Sequence, residues 1–204
     1  MAIQIVDAAH AATFDGVRTK FDALSMTLHW VTVVLVVAQF VSAWAIDHVE
    51  PSAARLVLTA HRSTGVALWI LIVFRLLWRV AGMRKPPMPQ TMKRAHKVGV
   101  KLAEYVLYAL LLVQPVTGFL DSIYRGRAFS IFIWELPVII PRDRPHASLA
   151  HLAHETGAYV LAGLVGFHAA AALVHHFILK DKVLLSMLPD VGGDGTSRIA
   201  RNKA

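Results

Sequence analysis

Four long apolar runs separated by polar stretches organise the chain. They are residues 26–46 (MTLHWVTVVLVVAQFVSAWAI), 63–82 (STGVALWILIVFRLLWRVAG), 102–120 (LAEYVLYALLLVQPVTGFL) and 156–179 (TGAYVLAGLVGFHAAAALVHHFIL). Each approaches the ~20 helical residues that cross a hydrocarbon layer. A lipid-exposed backbone must satisfy its own hydrogen bonds, so the pattern predicts four transmembrane helices. No ten-residue alternation of apolar and polar positions points to a barrel. The third run holds Pro115 and Gly118, which predicts a kink. The longest connection, 121–153, contains FSIFIWELPVII, an apolar stretch expected on the membrane surface, where Trp134 suits the interface. No internal repeat is evident. The chain divides into an N-terminal arm (1–20), an all-α four-helix bundle (21–182) and a polar, glycine-rich tail (183–204).

Composition agrees with the pattern. Of 204 residues, 56% are apolar, and the mean hydropathy is +0.53. Cysteine is absent, which excludes disulfides, cysteine-ligated clusters, thiolate zinc sites and covalent haem attachment. The net charge of +8 is unevenly distributed. With both termini on one side, that side carries fourteen cations: Arg18, Lys20, Arg79, Arg84, Lys85, Lys93, Arg94, Lys97, Lys101, Lys180, Lys182, Arg198, Arg201 and Lys203. The other side carries six: Arg55, Arg62, Arg125, Arg127, Arg142 and Arg144. The positive-inside rule then predicts a multi-pass membrane protein with both termini in the cytoplasm. Topology and anionic headgroups explain the basic balance, so no nucleic-acid partner is invoked. The first run is read as a retained helix, because 28 residues including Asp7, Asp15 and Asp22 make a poor signal-peptide n-region.

Histidine is the chemistry-bearing residue. His10, His48, His96, His146 and His151 fall in loops or near helix ends, where solvated roles suffice. His154 and His168 are fourteen residues apart on the fourth run. At ~100° per residue they share one helix face, ~21 Å apart along the axis. In the predicted topology His61 begins the second helix at the level of His154, and His29 lies near the inner end of the first, level with His168. Facing imidazoles at matched depth can take a haem iron from both sides, and an apolar bundle core suits the macrocycle. Two such pairs predict two stacked haems. Gly65, Gly157, Gly163 and Gly166 leave room for a flat ring, and equally for plain helix packing. Zinc binding and proton relay are the competing chemistries. The two levels are too far apart for one zinc site, and only Glu104 and Glu155 bring carboxylates near the core.

At this point LHW (28–30), AHRSTG (60–65), FRLLWR (74–79), QPVTGFL (114–120), the stretch from His154 to Asp181 and the LLSMLP after it resemble the bacterial four-helix cytochrome b561 family, over roughly residues 20–190. The closing helix and Tyr124-Arg125-Gly126 look most like its superoxide oxidase branch. The resemblance implies two b-type haems on His29, His61, His154 and His168, with no catalytic side chain beyond the haems. It implies electron transfer between a periplasmic-face donor, superoxide in that branch, and membrane ubiquinone. An alternative is a membrane-anchor cytochrome b subunit that exchanges electrons with a partner dehydrogenase or hydrogenase.

Further candidates surround this ladder. Arg75, fourteen residues after His61, belongs to the inner level and suits a haem propionate or a quinone. Arg62 suits an outer propionate. His175, seven residues past His168, suits a quinone carbonyl or propionate; His176 and Lys180 are weaker candidates for the same roles. Arg125, Arg127, Arg142 and Arg144 make the outer connection cationic, as expected of a surface that steers a small anion.

Overall fold

The computed structural model describes residues 20–82, 86 and 92–189; the N-terminal arm, nearly all of the proline-rich turn and most of the tail lie outside the described residues. Four helices carry the architecture: α1 (Ala23–Ile46), α2 (Pro51–Ala81), α3 (Arg94–Tyr124) and α4 (Arg144–Phe177). All four are long and apolar enough to cross a membrane. Side chains such as Val34, Leu56, Val80 and Phe167 stand exposed on the bundle, as lipid contact requires. The helices outrun the apolar blocks. α2 begins at Pro51, twelve residues before its block, because proline suits the first helical turn. α4 begins at Arg144 under an Asp143 cap. His61 therefore lies ten residues inside α2 rather than at its start, and His154 ten residues inside α4.

Chain order packs α1 against α2 and α3 against α4, and α2 joins the two hairpins to each other. The buried core is a thin aliphatic layer of Val36, Leu68, Ile72, Leu111 and Leu161. Its spacing follows the histidines. Val36 is seven residues after His29, Leu68 seven after His61, and Leu161 midway between His154 and His168. Seven residues are nearly two turns, so each aliphatic side chain shares its histidine's face about 10 Å along the axis.

α1 starts at Asp22, whose carboxylate accepts from Ser25 N (2.9 Å) and Ser25 Oγ (2.7 Å). Trp78 Nε1 reaches the same carboxylate and ties α2 to this cap (3.3 Å). α3 continues unbroken through Pro115. The connection after α3 contains an antiparallel hairpin, β1 (Phe129–Ile131) and β2 (Trp134–Leu136). Phe132 occupies its turn at φ 52°, and Phe132 N donates to Ser63 Oγ of α2 (2.6 Å). The sequence shows no strand signal here because the turn is Phe132-Ile133 rather than an Asn-Gly type. Residues 183–189, assigned to the tail, fold back on α1. Phe21 N donates to Ser186 O (3.1 Å) and Trp30 Nε1 to Met187 O (2.8 Å).

Gly126 fixes the same connection. It sits at φ +59°, and a Cβ there would lie 2.4 Å from Arg142 N. A left-handed non-glycine residue costs about 1–3 kcal/mol before any clash. Gly126→Ala is expected to destabilise the protein by at least about 2 kcal/mol, read as a lowered Tm with faster proteolysis between residues 125 and 143.

Candidate functional site

The structure brings the four singled-out histidines together in two pairs. His61 of α2 and His154 of α4 face each other with ring centres 6.3 Å apart and planes at 89°. This pair lies toward the end that carries the β-hairpin. His29 of α1 and His168 of α4 are 6.5 Å apart with planes at 64°, toward the end that carries the described termini. The aliphatic layer separates the two levels.

Donor chemistry decides what such pairs suit. Two metal–nitrogen bonds of about 2 Å, with a ring radius added on either side, place axial imidazole centres about 6 Å apart. Both pairs meet that separation. Zinc needs three or four ligands, and no such cluster of His, Asp or Glu occurs among the described residues.

Hydrogen bonds orient both rings at the hairpin-end level. Ser42 Oγ, donating to Ala38 O (2.7 Å), is free to accept from His61 Nδ1 at 2.9 Å. His154 Nδ1 lies 3.0 Å from Gln114 O, which can only accept. Thr117 Oγ1, itself donating to Gln114 O, stands 3.2 Å from the same nitrogen. His154 thus carries its proton on Nδ1 and presents a bare Nε2, and Ser42 suits the same arrangement at His61. Such partners orient a ligating histidine and raise its basicity. Gln39, Ser42, Gln114 and Thr117 were not singled out from sequence. The signal available was polar residues inside apolar runs, three apart in each of two helices.

The other level differs. Arg75 Nη2 lies 3.1 Å from His29 Nδ1. A guanidinium only donates, so Nδ1 accepts and the proton sits on Nε2. Arg75 also lies over the Tyr108 ring (5.5 Å). With Phe21, Ser25, Trp78, Glu104, Tyr108 and Met187 it lines a small cavity.

The remaining candidates separate. Arg62 donates to Ser122 Oγ (3.1 Å) and covers the Phe129 ring, close to the His61 level. His175 is buried at the end of α4, its Nδ1 2.5 Å from Asp181 Oδ2 and its ring 5.2 Å from His96. His176 packs on Phe177 (4.7 Å), and Lys180 is exposed in a left-handed turn at φ 53°. Neither joins the histidine pairs. Arg125 forms a two-pronged ion pair with Asp121, which also lies 3.4 Å from His151 Nδ1. Arg127, Arg142 and Arg144 are exposed, and the close approach of the Gly126 and Arg142 backbones, with Asp143 N donating to Tyr124 O (3.0 Å), brings the two ends of the connection that carry the four arginines together.

Asp181 ties the end of α4 to the segment after it. Partial burial raises its pKa, but hydrogen bonds from His175 and Val183 N, with the nearby His96, outweigh this and hold it below the ordinary 3.8. The stabilisation is therefore full above that value and lost as pH falls through the lower folded value. Hydrogen exchange of residues 183–188 is expected to accelerate below about pH 4 in wild type. Asp181→Asn is expected to remove that acid step.

Residues 20–190 match the family described as prokaryotic cytochrome b561. The chain belongs to this family. It is similar to "Cytochrome b561 homolog 2" of Escherichia coli (strain K12), 28% identical over 192 residues, covering 89% of this chain and 98% of the relative. "Cytochrome b561 homolog 1" of the same organism is 29% identical over 178 residues, 83% of this chain and 97% of the relative. "Probable superoxide oxidase CybB" of Yersinia pestis is 30% identical over 178 residues, 85% of this chain and 98% of the relative. A cytochrome b561 binds haem b and transfers electrons, and four membrane-crossing helices make this one a multi-pass inner-membrane oxidoreductase.

Proposed function

We propose that this cytochrome b561 passes electrons from superoxide at its hairpin end to ubiquinone in the membrane, using two haems b. The observation that carries the proposal is the pair of facing imidazoles at each of two levels. His61 and His154 hold one haem, and His29 and His168 the other. Bound haem b supplies reversible one-electron chemistry at each level. Two superoxide anions give up one electron each and leave as two O₂. Ubiquinone takes both electrons with two protons from water and becomes ubiquinol.

The chain's own residues account for access and orientation. Both termini lie in the cytoplasm, which faces the hairpin end to the periplasm and agrees with the cation count. Arg125, Arg127, Arg142 and Arg144 draw a small anion toward His61 and His154, an effect that weakens as salt rises. Arg62 is held by Ser122 beside that level and suits a propionate. For His29 to offer Nε2, its proton must move to Nδ1, and Arg75 must turn away. An anionic propionate, or a quinone oxygen, is the partner for the freed guanidinium. His175, positioned by Asp181, faces the cytoplasmic end where a quinone takes up protons; His176 and Lys180 flank it. Residues 21–182 form the electron-transfer domain, between the arm and the tail.

Purified protein in detergent, supplied with a steady superoxide source and a soluble ubiquinone, tests the proposal. Ubiquinol should form in proportion to superoxide consumed, one for two. Electron transfer that requires a co-purified soluble dehydrogenase or hydrogenase would instead support a membrane-anchor subunit.

A further inference from the structure

The contacts around the hairpin-end histidines occur twice. Gln39 Nε2 of α1 donates to His61 O of α2 (3.0 Å), and Gln114 Nε2 of α3 donates to His154 O of α4 (2.9 Å). Three residues after each glutamine, a hydroxyl meets the same histidine's Nδ1: Ser42 at 2.9 Å and Thr117 at 3.2 Å. Just after each histidine a glycine faces the glutamine. A Cβ on Gly65 would lie 3.6 Å from Gln39 Oε1, and one on Gly157 would lie 2.6 Å from Gln114 Oε1.

The sequence carries the same correspondence. Gln39-Phe40-Val41-Ser42 answers to Gln114-Pro115-Val116-Thr117, and Ala60-His61-Arg62-Ser63 to Ala153-His154-Glu155-Thr156, while the glycines, Gly65 and Gly157, stand four and three residues after their histidines. A constant offset of 75 residues carries Gln39 to Gln114, Ser42 to Thr117 and Val36 to Leu111. A constant offset of 93 carries His61 to His154 and Leu68 to Leu161. Four of the five core residues thus fall into two equivalent pairs. The two helical hairpins, α1–α2 and α3–α4, thus place equivalent residues at this level.

The two copies diverge at the other level. The same offsets carry His29 to Glu104 and Arg75 to His168. Each copy supplies one histidine there, from a different helix, and one charged residue, Arg75 or Glu104.

We infer that Gln39 with Ser42 and Gln114 with Thr117 are duplicated clamps, positioning residues that present the Nε2 atoms of His61 and His154 to a metal, with no counterpart at the His29/His168 level among the described residues. The inference rests on those histidines binding haem iron. The glutamine fixes the helix carrying the ligand, and the hydroxyl accepts Nδ1–H. Accepting that proton makes the imidazole a stronger donor, which favours the ferric state. A lost hydroxyl should weaken that preference at one level alone.

The test is a redox titration of the detergent-solubilised holoprotein, resolving each haem by absorbance. The haem missing from His154→Ala identifies the clamped level. Ser42→Ala is expected to lower the ferric-over-ferrous preference of that haem about tenfold, a rise of about 59 mV for a one-electron couple. Thr117→Val should move the same haem upward as well, since each histidine keeps a glutamine backbone carbonyl, Gln39 O for His61 and Gln114 O for His154. Ser42→Thr and Thr117→Ser should restore the wild-type value. A shift on the other haem, on both equally, or on neither would overturn the clamp while leaving the haem ladder standing. Haem-free but folded wild type would overturn the ladder itself.

Discussion

His154→Ala is expected to lower the haem content from two per chain to about one and to cut superoxide-dependent ubiquinone reduction by at least about 100-fold. Ligand loss is the reason. His154 has His61 as its facing partner, and the neighbouring His151, one turn away, is directed to Asp121 instead. Gln114 and Gly118 close the space around the ring; a Cβ on Gly118 would lie 2.9 Å from His154 Cε1. The fold should survive, since His154 is only partly buried and the aliphatic layer lies two turns away. The measurement is pyridine-haemochrome content against protein concentration, with the helical circular-dichroism signal as control. Two haems retained in His154→Ala would remove this residue from the ligand set.

His168→Ala should give a different phenotype, which tests direction. The hairpin-end haem should remain and should still be reduced by superoxide in a single turnover. Ubiquinone reduction should fall by at least about 100-fold, because electrons halt above the aliphatic layer. Rapid mixing with superoxide, followed in the haem absorption band, separates the two events. If His168→Ala abolished haem reduction while His154→Ala preserved it, the donor would enter at the opposite end, and the four hairpin-end arginines would have no steering role.

Much of this was legible in the chain. Helix number follows from four apolar runs of membrane length, and the two levels follow from fourteen-residue spacing on a helix of ~3.6 residues per turn. Helix ends were less legible. Residues 51–62 and 144–155 are helical yet too polar to read as membrane spans, so His61 and His154 appeared nearer the ends than they are. Long-range partners were illegible for a different reason. Nothing local announces that Ser42 meets His61 or that Trp30 meets Met187; each contact depends on how two distant segments pack. The hairpin at 129–136 escaped because Phe132 takes a left-handed turn that glycine or asparagine ordinarily signals.

The ladder of two haems rests first on a count. Quantifying haem per polypeptide in purified wild type, with a reduced-minus-oxidised spectrum, should give two low-spin b-type haems for each chain. One haem, or none, in a fully folded preparation would contradict it and return the facing histidine pairs to a structural or transport role.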